Sequence, residues 1–151
     1  MLMLDLADFS NAVTVTPGSP TCTGVVGVSY WQAPEVRAYV YPLLSIFFEP
    51  ALIRPPLFYS GTYNPMKADI WSLGATIWEM AESIPPFHGA ANESDLGDRW
   101  PPLTMAQEFS RSLHDFLTLC SNPATSRPDA NVLVQVGFTF IFFSFCWMID
   151  R

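Results

Sequence analysis

Lys67 is the only lysine in 151 residues, and charged side chains make up just 14% of the chain. With a net charge of −7, so little positive charge argues against nucleic acid or an anionic membrane surface as partner. Cysteine is sparse too. Cys22, Cys120 and Cys146 are odd in number and widely spaced, with no C-x-x-C pair. They offer neither a disulfide framework nor a zinc site and read as reduced intracellular thiols, which places the chain in the cytoplasm. "MLMLDLADFS" carries no basic leader and only four apolar residues before Asp5, so it does not read as a signal peptide. No internal repeat occurs. His88 and His114 lie near no Ser or Cys pattern and read as surface or helix-face side chains.

Apolar side chains are abundant. Half the residues are hydrophobic, and fourteen prolines fall between the apolar runs. The length suits one domain with a real core. Residues 2 to 9 suit a short strand ending in a polar turn. Ser10 to Ser29 is rich in Thr, Ser, Pro and Gly and reads as a long loop, of the kind that is usually functional or mobile. Asn64 followed by Pro65 is a helix start, cap then first-turn proline. Ile70, Leu73, Ile77, Trp78 and Met80 keep helical spacing to about Ala81. Trp71 widens this apolar stripe, predicting a core helix buried nearly all round. "IPPFHG" stops it, and residues 89 to 103 read as loop. A second amphipathic helix is predicted near Met105 to Cys120, with Phe109, Leu113, Phe116, Leu117 and Cys120 on one side. "SNPATSRP" ends it, and Asp129 is placed to cap a third.

Four stretches carry the chemistry: "LADFS", "GVSYWQAPEV", "DIWSLGATIWEM" and "SRPDA", in that order. Together they resemble the C-terminal lobe of eukaryotic serine/threonine protein kinases, and the Y-W-x-A-P-E form looks most like the Rac-activated group. The resemblance covers roughly residues 4 to 37 and 61 to 135. It implies a mainly α fold, a partial kinase lobe built round a central buried helix. It also implies ATP and magnesium as cofactors and protein substrates or kinase-pathway partners. Asp8 stands where the family's magnesium-binding aspartate would be, and hard carboxylate oxygen is what that ion needs. Thr21 and Thr23 become candidate phosphosites in the activation loop, since Gly24 stands at the position of the relatives' threonine. Glu35 and Arg127 resemble the family's structural ion pair, which fastens that loop to the lobe. Asp69 resembles a carboxylate that accepts hydrogen bonds from the backbone of the H-R-D loop. Without those donors it is either a buried orphan or an exposed helix-start aspartate worth ~0.3–1 kcal/mol through the helix dipole.

The departures are as telling. Ser10 replaces the glycine of D-F-G, and Val28 replaces the substrate-facing threonine. No G-x-G-x-x-G, V-A-I-K or H-R-D-x-x-x-x-N occurs. Phosphoryl transfer is almost wholly positioning and charge stabilisation, so the chain is expected to be inactive by itself. Its alternatives are a catalytically dead interaction module or a small membrane-anchored protein.

Two segments fall outside the family pattern. Residues 39 to 60 form an apolar insert with four prolines and no period, "YVYPLLSIFFEPALIRPPLFYS". Codons permitted at Ala38–Val40 and at Tyr59–Ser60 allow an intron start and end. Removing that stretch in frame leaves "APEVRAGTYNPMKADIW", which fits the family spacing. Residues 136 to 151 form an apolar non-family tail, and the domain is expected over 4–135. Residues 132 to 149 carry no charge, but only about fourteen of them are foreign to the kinase pattern, too few to cross a bilayer straight. An intron-containing or incomplete kinase product is the first expectation.

Overall fold

The computed structural model describes residues 7–16, 18–38 and 62–135. Helix α1, Pro34–Arg37, is a single turn. Pro34 opens it at a position where a missing N–H costs nothing, after Ala33 in an extended conformation. Helix α2, Pro65–Glu82, is the axis of the molecule. Asn64 caps it, its side chain accepting from the N–H groups of Met66 and Lys67 at 3.0 and 3.4 Å. Ser83 ends it in the left-handed region (φ 61°), its N–H returning to Glu79 O. Helix α3, Arg111–Cys120, begins at Ser110, whose hydroxyl accepts from Leu113 N–H. A fourth helical stretch, α4, runs over residues 130–135, where the described residues end.

Helix α3 packs on α2. Ile70, Ile77 and Trp78 of α2 meet Leu113, Phe116, Leu117 and Cys120 of α3, with Leu103 and Leu133 closing the cluster. Leu113 is 1% exposed, and burying such a side chain contributes roughly 1.5–3 kcal/mol. Gly74 sets how closely the two helices approach. A Cβ there would run into the Trp100 ring and lie 2.6 Å from Cys120 Cβ. A helix-interior glycine costs ~0.5–1 kcal/mol relative to alanine, and the close contact explains why it is there. On the other side of α2, Trp71 and Ala68 pack with Ala33, Val36 and Tyr63. Trp100 bridges the two clusters, its ring 4.8 Å from that of Trp71.

A mainly helical fold round a central helix is observed, as expected. Three local expectations change. Residues 7–9 are exposed and form no strand, while residues 2–6 lie outside the described residues. The second helix starts at Arg111 rather than Met105. Ala106–Glu108 is a separate 3-10 turn, and Phe109 is extended (ψ 148°), which frees Ser110 to cap. Helix α2 is not buried all round: Met66, Asp69, Leu73, Thr76 and Met80 are exposed along one face. The 39–60 insert and the 136–151 tail lie outside the described residues. Among the described residues, no helix is long and apolar enough to cross a membrane.

Candidate functional site

Arg127 is the hub that joins three distant parts of the sequence. Its side chain is 1% exposed. It reaches that depth because the turn after α3 folds back over α2, with Arg127 N–H on Pro123 O. Nη1 donates to Glu35 Oε1 and to Lys67 O, both at 2.6 Å, and Nη2 donates to Glu35 Oε2 at 3.2 Å. Nε donates to Asn122 O at 3.0 Å, and the guanidinium lies 5.2 Å over the Trp71 ring. Glu35 takes the fork from α1, so one bidentate pair ties the loop that precedes α1 to the helical body. Lys67 completes the junction. Its ammonium is 2.6 Å from both Asp129 Oδ1 and Arg127 O, linking the start of α2 to the start of α4.

The loop upstream of α1 is held by three further ties. Cys22 and Tyr63 exchange backbone hydrogen bonds at 2.9 Å each way. Gln32 donates to Val26 O and Gly27 O at 2.8 and 2.9 Å. Trp31 Nε1 donates to Glu79 Oε2 at 2.8 Å, while Ser72 donates to Trp31 O at 2.9 Å, so two turns of α2 grip this residue. Beyond it an open depression of about 270 Å³ lies between Val28–Tyr30 and residues 90–92. Val28 is 64% exposed at its rim.

Asp8 stands apart from this junction. It is exposed, in the left-handed region (φ 59°), and its Oδ1 accepts from Ser10 N–H at 3.2 Å. Hydrogen bonding to Ser10, side chain and backbone, holds its carboxyl below the usual aspartate range. Among the described residues no group of three His, Cys, Asp or Glu side chains could hold a metal ion. Asp8 is therefore not part of a multi-carboxylate cluster among the described residues. Thr21 and Thr23 are exposed on either side of the Cys22–Tyr63 bridge. Asp69 is exposed on α2, and partial burial of its carboxyl still raises its pKa above the ordinary 3.8. Burial, then nearby Cys22 and Asp69, raise the Tyr63 phenol likewise.

The structure thus brings Glu35 and Arg127 together and leaves Asp8, Thr21, Thr23 and Asp69 outside their junction. Sequence reasoning missed Lys67–Asp129 and Trp31–Glu79. Nothing in spacing marks the first, since Lys67 is notable in the sequence only for being alone. A tryptophan beside A-P-E and a glutamate on the partner helix were the available signal for the second.

Comparison with known proteins gives one consistent answer. No family model matches the sequence. The serine/threonine-protein kinase pakC of Dictyostelium discoideum is 32% identical over 138 residues, covering 88% of this chain and 24% of its own length. Its dst4 counterpart, also a serine/threonine-protein kinase, is 37% identical over 139 residues, covering 88% and 25%. Mitogen-activated protein kinase kinase kinase 3 of Arabidopsis thaliana is 34% identical over 140 residues, covering 89% and 19%. The chain spans about a quarter or less of the length of these relatives.

Proposed function

Because this chain is related to serine/threonine protein kinases across nearly nine-tenths of its length, we propose that residues 4–135 are a partial kinase domain. In this reading residues 39–60 interrupt it, 136–151 follow it, and it does not transfer phosphate by itself. The observation that carries the proposal is the Glu35–Arg127 junction. It fixes a loop bearing Asp8, Thr21 and Thr23 to a helical body, as a lobe of this family requires, while among the described residues no cluster of nucleotide-handling groups is assembled. Protein kinases use ATP and magnesium in general, with a lysine to reach the phosphates and an aspartate to accept the substrate proton. The one lysine here is engaged with Asp129 and Arg127 O. Asp8 alone offers one carboxylate, and a magnesium ion is normally held by a carboxylate jointly with phosphate oxygens.

In this proposal Asp8 retains the magnesium position, Thr21 and Thr23 are loop phosphosites, Glu35 and Arg127 are structural, and Asp69 marks the face where other kinase residues would dock. The partners are protein substrates or kinase-pathway proteins in the cytoplasm. A second reading is an interaction module without catalysis, favoured by the exposed Val25 and Val26 and by Val28, which lies exposed at the depression. The test is direct. Purified protein with ATP, magnesium and a generic protein substrate should give no phosphate transfer. Transfer that disappears in Asp8→Ala refutes the proposal. Sequencing the transcript separates the two readings, because a spliced message encoding an H-R-D segment favours kinase origin and a mature message as read here favours the module.

A further inference from the structure

The loop upstream of the junction carries the run Thr16-Pro17-Gly18-Ser19-Pro20, which places prolines two residues before and one residue after Ser19. We propose that Ser19 is a phosphate acceptor for a proline-directed protein kinase, a modification independent of whether this chain transfers phosphate itself. Ser19 is exposed, and so are Thr16 and Gly18. Ser19 N–H returns to Thr16 O at 3.0 Å, an isolated antiparallel bridge that closes a tight turn on itself. Among the described residues, the first backbone hydrogen bonds that hold this loop to the helical body are those of the Cys22–Tyr63 bridge. The hydroxyl can therefore be drawn into another enzyme without disturbing the core.

The flanking residues choose the class of enzyme. Pro20 has no N–H and pushes Ser19 out of the helical region, so the chain crosses the acceptor extended, the form a peptide-binding channel grips. A proline-directed kinase recognises that geometry by seating the ring after the acceptor. Kinases that read basic side chains find none here, because Arg37 is the first basic residue in the chain. Thr21 and Thr23 precede Cys22 and Gly24 rather than proline, so they answer to a different enzyme. In the transfer, Ser19 Oγ bonds to the γ-phosphorus of ATP as the bond from that phosphorus to the β–γ bridging oxygen breaks. ADP leaves with the electron pair, and the hydroxyl proton passes to the modifying enzyme's base. Of the described basic side chains, Lys67 and Arg127 are committed to Asp129 and Glu35. The added charge of about −1.5 to −2 then stays in solvent as a mark for other proteins.

Incubating the full chain with an active proline-directed kinase of the mitogen-activated class, ATP and magnesium tests this by intact mass and fragment mapping. One phosphoryl group on Ser19 is expected, absent in Ser19→Ala and slowed by about tenfold or more in Pro20→Ala, the loss of one well-placed contact. Both substitutions lie in the exposed turn, and unchanged far-ultraviolet dichroism verifies that the variants fold alike. Three results overturn the proposal: no incorporation, phosphate mapping to Thr16, Thr21 or Thr23 instead of Ser19, or Pro20→Ala reacting at the parent rate.

Discussion

Replacing Arg127 by methionine removes the guanidinium while keeping much of the side chain's length and apolar volume. Four donor contacts go at once: two to the Glu35 carboxylate, one to Lys67 O and one to Asn122 O. Two reference magnitudes compete. An exposed ion pair is worth ~0–1 kcal/mol, whereas breaking a buried one by removing a single partner costs ~3–5 kcal/mol. Arg127 is 1% exposed but Glu35 is 19%, so water partly rescues the stranded carboxylate. The expected cost sits at the lower end of the buried range, about 3 kcal/mol. Against a total stability of ~5–15 kcal/mol that is a large share. With a urea dependence of ~1–3 kcal/mol per molar, the midpoint should fall by roughly 1–3 M. Tryptophan fluorescence is a suitable probe because Trp71 lies directly under the guanidinium. Glu35→Gln should cost less, ~1–2 kcal/mol, since its amide oxygen still accepts. The double substitution should cost less than the sum of the two singles, because one shared interaction is lost only once. If Arg127→Met stays within ~1 kcal/mol of the parent, or the two costs simply add, the buried-junction argument fails.

Gly74→Ala should destabilise by ~1–2 kcal/mol: overpacking against Cys120 Cβ and the Trp100 ring outweighs the helix-propensity gain of up to ~1 kcal/mol, and a raised melting temperature would contradict it. Asp69 binds its proton more tightly in the folded chain than in the unfolded one, so its contribution is fully present below pH 3.8 and is lost as pH rises through the raised folded value. Asp69→Asn should therefore raise the urea midpoint at neutral pH. Because the residue is exposed, solvent screening limits the gain to under ~1 kcal/mol, and the two proteins should converge below pH 3.8; a lower midpoint at neutral pH rules the idea out. Burial pushes the Cys120 thiol up to about 12, so iodoacetamide at pH 8 should label half-buried Cys22 and spare Cys120 until urea is added, as peptide mapping would show. Equal labelling of the two in native protein would contradict it.

The parts of the fold that local chemistry dictates were legible in the sequence. Asn64-Pro65 announced α2 because cap and first-turn proline act within three residues, and Asp129 lies one residue before α4. The start of α3 was misplaced since Phe109 looks like part of the apolar stripe, whereas Ser110 competes for the cap and wins. Periodicity also put Leu73 and Met80 in the core. It reports the width of an apolar face but not what lies opposite, and here the described residues leave that side to solvent. Glu35 and Arg127 were paired only through resemblance, for nothing local connects residues 92 positions apart. Trp31 with Glu79 and Lys67 with Asp129 are long-range contacts of the same kind, carried by the fold alone.

The engaged state of Lys67 has a chemical consequence. Any group joined through a lysine amide, from a small acyl cap to a protein tag, has a single side chain to use in these 151 residues. An amine attacks such electrophiles only when it is free to move, and this one is held against two oxygens at 2.6 Å. Acylation must wait until the start of α4 separates from α2, and it then prevents the tether from re-forming. The rate of lysine modification in native protein is thus a clock for local opening at that end of the molecule.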